Sequence, residues 1–287
     1  MAHPLHAPVL GFYDEHARDL PWRAESATPW AVMVSEFMLQ QTPVARVLPV
    51  YEAWLERWPA PADLAGASTG DAVRMWGKLG YPRRALRLHA AACAIVTEYD
   101  GQVPSSYDEL IRLPGVGDYT ASAIASFAFG ARHVVLDTNV RRVFARAVSG
   151  VEFPPNHLTK TERALAEALV PEDLPAAWAI AVMELGALIC TARDPKCDSC
   201  PIRDQCAWLA AGRPAYDGPA RRGQAWAGTD RQCRGRLLDV LRASHRPVTK
   251  PRLDAAWADT TQRERCLETL IADGLVQTVG DRYALPD

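Results

Sequence analysis

Four of the seven cysteines lie within one short segment and are spaced C-x6-C-x2-C-x5-C. Four thiolates so close together can surround one metal centre, and an all-thiolate set suits a [4Fe–4S] cluster or a structural zinc. Zinc sites usually consist of two closely spaced pairs with a longer gap between them, so the wide outer spacings favour the cluster. Two disulfides or a chance clustering are the alternatives, and the lack of a secretory signal disfavours disulfides. The predicted ligands are Cys190, Cys197, Cys200 and Cys206.

One carboxylate lies within an apolar segment and another directly follows one. Glu36 is flanked mainly by apolar residues, from Val32 to Leu39, which predicts a carboxylate in an apolar helix. Burial disfavours the charged form and raises the pKa of such an acid toward the range that general acid catalysis needs near neutral pH. Asp137 follows the apolar residues 134–136 and precedes a helical pattern. The alternatives are structural: a glutamate paired with an arginine, and an aspartate that caps a helix.

A glycine-rich turn, Pro114-Gly115-Val116-Gly117, precedes a predicted helix. Two glycines let the backbone approach a phosphate closely, and the following helix N-terminus offers free amides. Such a contact positions a protein on DNA without reading its sequence. By itself, the turn is equally consistent with a tight connection between two helices.

Helical apolar spacing dominates the chain up to residue 274 and indicates a mainly α fold. Thr42-Pro43 predicts the start of a helix through Trp54, with Thr42 as its cap. Capping-box spacing at 106–109 predicts a second helix through Arg112. Further helices are predicted from Tyr119 to Gly130, after Asp137, and from Ala176 to Ile189.

The C-terminal part of the chain has a different pattern. Residues 212–230 are rich in Gly, Pro, Arg and Ala and predict a linker. Three short helices are predicted at 231–243, 250–258 and 261–273, followed by a hairpin turning at Gly280-Asp281. This order is typical of a winged-helix module. A small α+β packing or dimerisation module is the alternative.

Composition restricts the classes of function. The 287 residues are 48% hydrophobic, and no apolar run is long enough for a membrane helix, so we expect a soluble, cytoplasmic protein. The formal net charge of −2 gives no general indication of a nucleic-acid partner. Any DNA affinity is expected to come from local groups of basic residues, namely Arg83, Arg84 and Arg87; Arg141, Arg142 and Arg146; and Arg213, Arg221 and Arg222.

Three motifs together resemble the endonuclease III / MutY superfamily of DNA glycosylases: the cysteine loop, the helix-hairpin-helix at 113–121 and the aspartate segment at 135–143. A fourth, Val34-SEFMLQQ-Thr42, is similar to MutY-type adenine glycosylases. The resemblance covers roughly residues 5 to 210 and implies a two-lobed helix-hairpin-helix glycosylase fold with one [4Fe–4S] cluster. It divides the chain into an iron–sulfur domain (1–22 and 132–211), a six-helix domain with the hairpin (23–131), the linker (212–230) and the winged-helix-like module (231–287).

The family's chemistry implies roles for these residues. Glu36 corresponds to the general acid that protonates N7 of the departing adenine, and Asp137 to the carboxylate that stabilises the oxocarbenium-like transition state. Asn139 matches the position that helps to orient the attacking water. Tyr119 stands where bifunctional relatives carry a Schiff-base lysine, which implies base removal without strand cleavage. Packing of its ring is the structural alternative.

The resemblance also implies a partner, double-stranded DNA with a mispaired adenine, bound by a monomer that is associated with the nucleoid. Gln41 corresponds to the residue that wedges into the duplex beside the base opposite adenine, and Tyr81 to the second intercalating residue. Pro82 departs from a common Tyr-Tyr pair, and Asp118 replaces a common arginine, which should weaken the nearby phosphate contact. Leu20 and Trp22 match positions of the adenine pocket, although a core tryptophan is a comparable alternative. The predicted DNA contacts are Gln40, Gln41, Tyr81, Gly115, Val116, Gly117 and Arg141.

The resemblance ends after the cysteine loop. Family members carry a larger C-terminal domain that recognises 8-oxoguanine, and the residues after Cys206 do not resemble it; the match at Ser244-His245 is only a dipeptide. The resemblance as a whole implies a monofunctional glycosylase for adenine opposite 8-oxoguanine or guanine. One alternative is a glycosylase for thymine opposite guanine, but thymine lacks the N7 atom that Glu36 would protonate. The other alternative is a non-catalytic iron–sulfur DNA-binding protein.

Overall fold

The computed structural model describes residues 3–218 and 226–287. Met1, Ala2 and the centre of the predicted linker, with Arg221 and Arg222, lie outside them. The helices are α1 (His6–His16), α2 (Pro29–Leu39), α3 (Val44–Arg57), α4 (Pro61–Ala65), α5 (Thr69–Trp76), α6 (Arg83–Glu98), α7 (Tyr107–Leu110), α8 (Asp118–Phe129), α9 (Thr138–Ala147), α10 (Lys160–Leu169), α11 (Pro175–Leu188), α12 (Ala207–Ala210), α13 (Asp230–Arg242), α14 (Lys250–Asp254) and α15 (Thr260–Ala272). Short 3-10 turns lie at Pro21–Arg23, Cys197–Ser199 and Arg203–Gln205. The predicted mainly α fold is confirmed, and none of the described helices is long and apolar enough to cross a membrane.

Contacts divide the chain into two compact units. The first unit comprises residues 1–32, 105–111 and 116–220, and the second comprises residues 33–104, 112–115 and 221–287. The predicted division into an iron–sulfur domain, a six-helix domain, a linker and a winged-helix-like module rests on the family resemblance and stays a prediction.

The core of the first unit forms where α1, α9 and α11 pack together. Trp178 of α11 is 2% exposed, and its ring stacks at 6.4 Å from that of Phe144 on α9. Val9 of α1 and Leu185 of α11 belong to the same buried cluster. Truncating a tryptophan buried to this degree typically costs about 3–5 kcal/mol, so this cluster is a main source of the unit's stability.

The second unit has a core of tryptophans. Trp54 of α3 is fully buried and makes edge-to-face contacts with Trp58, at 4.7 Å, and with Trp76 of α5, at 5.6 Å. Phe37 and Met38, at the end of α2, are also fully buried. The apolar face of α2 thus fixes the helix that carries Glu36.

Helix ends follow their sequence signals at most positions. Asp137 caps α9 by accepting a hydrogen bond from the Val140 amide, and Gly130 ends α8 in the left-handed conformation at φ 70°. Ser106 caps α7, but this helix ends at Leu110 and is shorter than predicted. The expected role of Thr42 is wrong, because its hydroxyl does not cap α3 and instead donates to the Leu79 carbonyl at 3.2 Å.

The C-terminal module has the strand and helix order of a winged helix. Its strands are β1 (Val248–Thr249), β2 (Gln277–Val279) and β3 (Arg282–Ala284), and they form an antiparallel sheet in the order β1-β3-β2. The hairpin turns at Gly280-Asp281, as predicted, with Thr278 opposite Tyr283. Strand β1 was missed, because two residues are too few to show an alternating pattern.

Candidate active site and iron–sulfur loop

Glu36 lies in an apolar turn of α2. Its residue is 6% exposed, and the neighbouring Met33, Val34 and Phe37 are fully buried. An acid in such surroundings is removed from bulk water, which is the environment expected of a general acid.

Asp137 is held by hydrogen bonds on both carboxylate oxygens. Oδ1 accepts from the Val140 amide and Oδ2 from Nδ2 of Asn139, each at 2.7 Å. Burial raises the pKa of Asp137, while these hydrogen bonds and the charge of Arg142 act in the opposite direction. The carboxylate is therefore fixed in position and half-buried, so water screens its charge less than it would screen that of a surface aspartate.

Arg142 fixes Asn139 in turn. Its guanidinium donates to Oδ1 of Asn139 at 2.8 Å, to the Gly186 carbonyl at 2.6 Å and to the carbonyl of Cys190 at 2.7 Å. Gly186 allows this close packing, since a Cβ atom there would lie 2.7 Å from Cβ of Asn139. Arg142 thus determines the amide orientation of Asn139. Through Asn139 and Arg142, hydrogen bonds connect Asp137 to Cys190, the first cysteine of the loop, which the sequence did not reveal.

The hairpin presents its backbone rather than its side chains. Gly115 has φ of 79°, and a Cβ atom there would lie 2.6 Å from Cβ of Arg87. A Cβ atom at Gly117, the residue before α8, would meet nothing within 4 Å, so this backbone is open to a ligand. Val116 is 8% exposed, which leaves only its main chain for the predicted DNA contact.

Arg87 was grouped with other basic residues but not assigned to the hairpin. Its side chain runs along Gly115 and is exposed, and it has no ion pair with any described acidic residue. An exposed cation beside the backbone of Gly115 suits a phosphate group.

Tyr119 and Asp118 open α8. The Tyr119 ring is half-buried and packs beside Val135 and Ala179, so the packing alternative describes at least part of its role. Asp118 accepts hydrogen bonds from the Tyr107 hydroxyl at 2.8 Å and from Arg163 at 2.5 Å. Burial raises the pKa of Asp118, but these two partners outweigh it and leave the pKa below its usual value. Arg163 thus compensates the negative charge that was expected to weaken the phosphate contact.

The two predicted intercalating residues share an unusual backbone conformation. Gln41 has φ of 55° and Tyr81 has φ of 47°, a region that non-glycine residues rarely adopt. Both residues are exposed, Tyr81 to 46%. Surrounding structure has to hold both loops in this conformation.

Arg84, which is 5% exposed, links the two loops. Its guanidinium donates to the carbonyls of Phe37, Met38 and Gln40 at the end of α2, to the Gly80 carbonyl at 3.1 Å and to the Thr42 hydroxyl at 3.0 Å. It also lies 5.3 Å from the centre of the Tyr81 ring. Burial lowers the pKa of Arg84 to about 10, so it remains a cation at neutral pH.

Leu20 and Trp22 are buried, at 5% and 8% exposure, and lie beside a buried ion pair. Glu184 of α11, whose side chain is inaccessible, accepts from Nε of Arg18 at 2.7 Å and from Arg23 at 2.9 Å. Burial would raise the pKa of Glu184, but these hydrogen bonds outweigh it and hold the pKa at about 2. This pair fixes the segment that carries both predicted pocket residues.

The four loop cysteines line one cavity, together with Arg146, Ile202 and Trp208. All seven cysteines of the chain are free thiols, so the disulfide alternative is wrong. Four thiols facing one largely apolar cavity fit a larger iron–sulfur cluster. Burial raises the pKa of Cys200 to about 11.

Arg146 anchors this loop to α9. It is 1% exposed, donates to the Thr191 carbonyl at 2.7 Å and to Sγ of Cys190 at 3.5 Å, and lies 4.8 Å from the Trp208 ring.

Arg141 also has partners within the protein: it forms an ion pair with Glu162 at 2.8 Å and donates to the Pro155 carbonyl at 2.7 Å. Its DNA contact stays a prediction. Three of the predicted surface arginines, Arg84, Arg142 and Arg146, are therefore interior groups.

Comparison with known proteins agrees with this arrangement. Residues 34–171 match the HhH-GPD superfamily of base excision DNA repair proteins, and residues 190–206 match the iron–sulfur binding domain of endonuclease III. The chain is 54% identical to the adenine DNA glycosylase of Mycobacterium tuberculosis, over 97% of this chain and 92% of that protein. It is 52% identical to that of Mycolicibacterium smegmatis, over 96% and 94%. A solved thermostable thymine-DNA glycosylase is 28% identical with a TM-score of 0.66, covering 71% of this chain and 94% of its own.

Proposed function

The chain belongs to the adenine DNA glycosylases of the HhH-GPD superfamily, which carry an endonuclease III-type iron–sulfur loop, and we propose that it removes adenine paired with 8-oxoguanine or guanine. It is a DNA N-glycosylase of base excision repair. The observation that carries the proposed mechanism is the pair of desolvated carboxylates: Glu36 in the apolar turn of α2, and Asp137 with both oxygens bonded.

The two carboxylates have different tasks. Glu36 protonates N7 of the flipped adenine, which makes the base a neutral leaving group. Asp137 stays ionised and stabilises the positive charge that develops on the sugar. Asn139, with its amide fixed by Arg142, orients the attacking water. Because Tyr119 offers a phenol and no amine, no Schiff base forms, and the product is an intact strand with an abasic site.

DNA is held by groups that read no sequence. The open amides around Gly117 and the cation of Arg87 bind phosphate, while Gln41 and Tyr81 fill the space left by the flipped base. Leu20 and Trp22 line the adenine pocket. The preformed backbone at both intercalating residues supports this proposal, since ordering them on binding would otherwise weaken affinity.

The four cysteines, Cys190, Cys197, Cys200 and Cys206, hold the [4Fe–4S] cluster. These four thiolates would hold the cluster, which would supply a link between the two ends of the loop. Arg146 supports the loop from α9, and the exposed Arg193 and Lys196 are available for phosphate. We further propose that the protein acts as a monomer in the cytoplasm, associated with the nucleoid.

Single-turnover base release from short duplexes tests the function. The substrates carry adenine opposite 8-oxoguanine, adenine opposite guanine, adenine opposite thymine, and thymine opposite guanine. We expect fast release from the first, slower release from the second, and strand breaks only after hot alkali. Release from the thymine–guanine duplex alone would refute the role of Glu36.

Matched variants separate catalysis from binding. Glu36→Gln should lose base release by at least about a hundredfold, because one general acid contributes that much, while its affinity for the first duplex is retained. Borohydride should trap no covalent complex with the native protein. Binding without release by the native protein would instead support the non-catalytic iron–sulfur DNA-binding alternative.

A further inference from the structure

Two helix ends in the second unit are capped by each other's arginines. Nε of Arg242, the last residue of α13, donates to the Val73 carbonyl near the C-terminus of α5 at 3.1 Å. Arg74 of α5 donates in return to the carbonyl of Arg242 and, at 3.4 Å, to that of Leu241. Both guanidinium groups stand at the negative ends of helix dipoles, where a cation is stabilising. The C-terminal module is thus joined to α5 by charged hydrogen bonds in both directions.

Further contacts join the module to the same region. Asp273, after α15, forms an ion pair with Arg83 at the start of α6, at 3.2 Å. The Thr69 hydroxyl donates to the Asp287 carbonyl at 2.9 Å. The backbone at Gly70 lies so close to the C-terminal segment that a Cβ atom there would be 2.2 Å from the carbonyl oxygen of Pro286. The module therefore contacts both α5 and the first turn of α6.

The segment between these two anchored helices is residues 77–82, which carries Tyr81. It has left-handed backbone at three positions, Gly77, Gly80 and Tyr81, with φ of 54°, 86° and 47°. Such a conformation persists only where neighbouring structure imposes it. Fixing α5 on one side and α6 on the other restricts the loop from both ends.

Helix α15 lacks the unpaired positive charge expected of the helix that reads DNA in a winged-helix protein. The helix that would enter a groove is α15, and its exposed residues include Thr261, Arg265 and Glu268. Arg265 is neutralised by Asp230 at 2.7 Å, and Arg263 is 8% exposed and paired with Asp254. Among the described residues of α15, no arginine is left unpaired, so this helix has little attraction for phosphate.

We propose that the C-terminal module is an intramolecular brace that holds the Tyr81 loop in its intercalating conformation and makes no DNA contact through α15. This rests on the proposed function for the part that concerns Tyr81. The two mycobacterial relatives share the module, since they match 97% and 96% of this chain.

Hydrogen exchange of the full-length, cluster-loaded protein tests the brace without any assay of activity. Arg242→Met removes the cap of α5 and keeps the aliphatic stem, and it should make residues 77–82 exchange roughly tenfold faster. Asp273→Asn removes the ion pair with Arg83 and, inside the module, the pair with Arg234 at 2.5 Å, and it should give a smaller increase in the same peptide. Asp230→Asn breaks an ion pair of the same kind away from α5 and α6 and serves as the matched control.

Measurements of DNA binding test whether the module instead contacts DNA. Arg265 of α15 and Arg282 of β3 are the exposed arginines on the reading helix and on the hairpin. The double variant Arg265→Gln/Arg282→Gln should leave the salt dependence of DNA affinity unchanged if the module is a brace. The proposal is overturned if Arg242→Met and Asp273→Asn leave exchange at 77–82 unchanged, or if the double variant weakens DNA binding and reduces the salt dependence. A native protein that releases no adenine but shows the predicted exchange pattern would refute the proposed function and keep the brace.

Discussion

Asp137 illustrates how one residue serves both the helix and the reaction. Its carboxylate caps α9 through the Val140 amide, and the same geometry leaves it desolvated beside Asn139. The raised pKa means that the carboxylate takes up a proton at a higher pH than an ordinary aspartate would. The ionised form, which stabilises a cation, is therefore lost earlier as the pH falls.

The pH dependence of base release should show the protonation of Asp137. We expect the single-turnover rate to decline on the acid side at a pH above 3.8, the ordinary value for aspartate. Asn139→Ala removes a hydrogen bond that lowers the pKa of Asp137, so it should shift this decline to still higher pH and also slow the plateau rate. Rates measured from pH 4 to 9 for both proteins check the prediction. An unchanged midpoint in the variant would argue against Asp137 as the titrating group.

The variant Asp137→Asn tests whether Asp137 acts in the reaction or only stabilises the fold. A group with a raised folded pKa binds its proton more tightly in the folded state, so its ionisation costs stability at neutral pH. The variant should therefore lose activity while its melting temperature changes little, because removal of the buried charge offsets the loss of the hydrogen bond from Asn139. A large loss of melting temperature would indicate a structural rather than a chemical role.

At the scale of elements, Arg84 ties the end of α2 to the loop before α6. Replacing it by methionine leaves several carbonyls unsatisfied and should lower the free energy of unfolding by about 3 kcal/mol. Adenine release should also slow, because Gln41 and Tyr81 lose their fixed backbone. Denaturant unfolding and single-turnover rates check both effects.

A double-variant cycle shows whether Arg84 acts through Tyr81. If it does, Arg84→Met should reduce the rate much less in a Tyr81→Ala background than in the native protein. Fully additive losses would mean that Arg84 contributes only to general stability. Arg84→Lys, which keeps the charge but not the planar set of donors, should recover little.

The N-terminal segment depends on another buried ion pair. Because the pKa of Glu184 is lowered from 4.5 to about 2, the pair contributes stability that is complete above pH 4.5 and is lost as the pH falls toward 2. The difference corresponds to at most about 3 kcal/mol. Urea unfolding at pH 7 and at pH 3 should show a smaller difference in Glu184→Gln than in the native protein. Equal pH dependence in both proteins would contradict this assignment.

At the scale of the whole molecule, most arginines of the described residues have a partner within the protein, and some others are exposed without one. Arg87 is one of them, and it lies beside the hairpin backbone. Arg87→Ala should weaken DNA binding on all sequences and reduce the salt slope by about 1. Arg252→Ala, which removes an exposed arginine of the C-terminal module, is the control and should change neither. Equal effects of both variants would place DNA on the module as well.

Sequence was sufficient where the signal is local. The cysteine spacing, the cap at Asp137 and the glycine that ends α8 each depend on a few adjacent residues, and each was predicted at its position. It was insufficient where partners are distant in sequence. Arg84 and Arg142 have the same pattern as surface arginines, because only the folded chain brings carbonyls from other elements to them. The same limit hid the caps between α5 and α13.

The interior location of Arg84, Arg142, Arg146 and Arg263 has a consequence for how damage is found. Arginines that bind carbonyls inside the protein do not contribute to the attraction for undamaged duplex, which depends on the number of phosphates neutralised. We therefore expect short residence on normal DNA, with a search made of many brief encounters rather than long sliding. Dwell time would then lengthen only when a base has left the stack and the intercalating residues have taken its place.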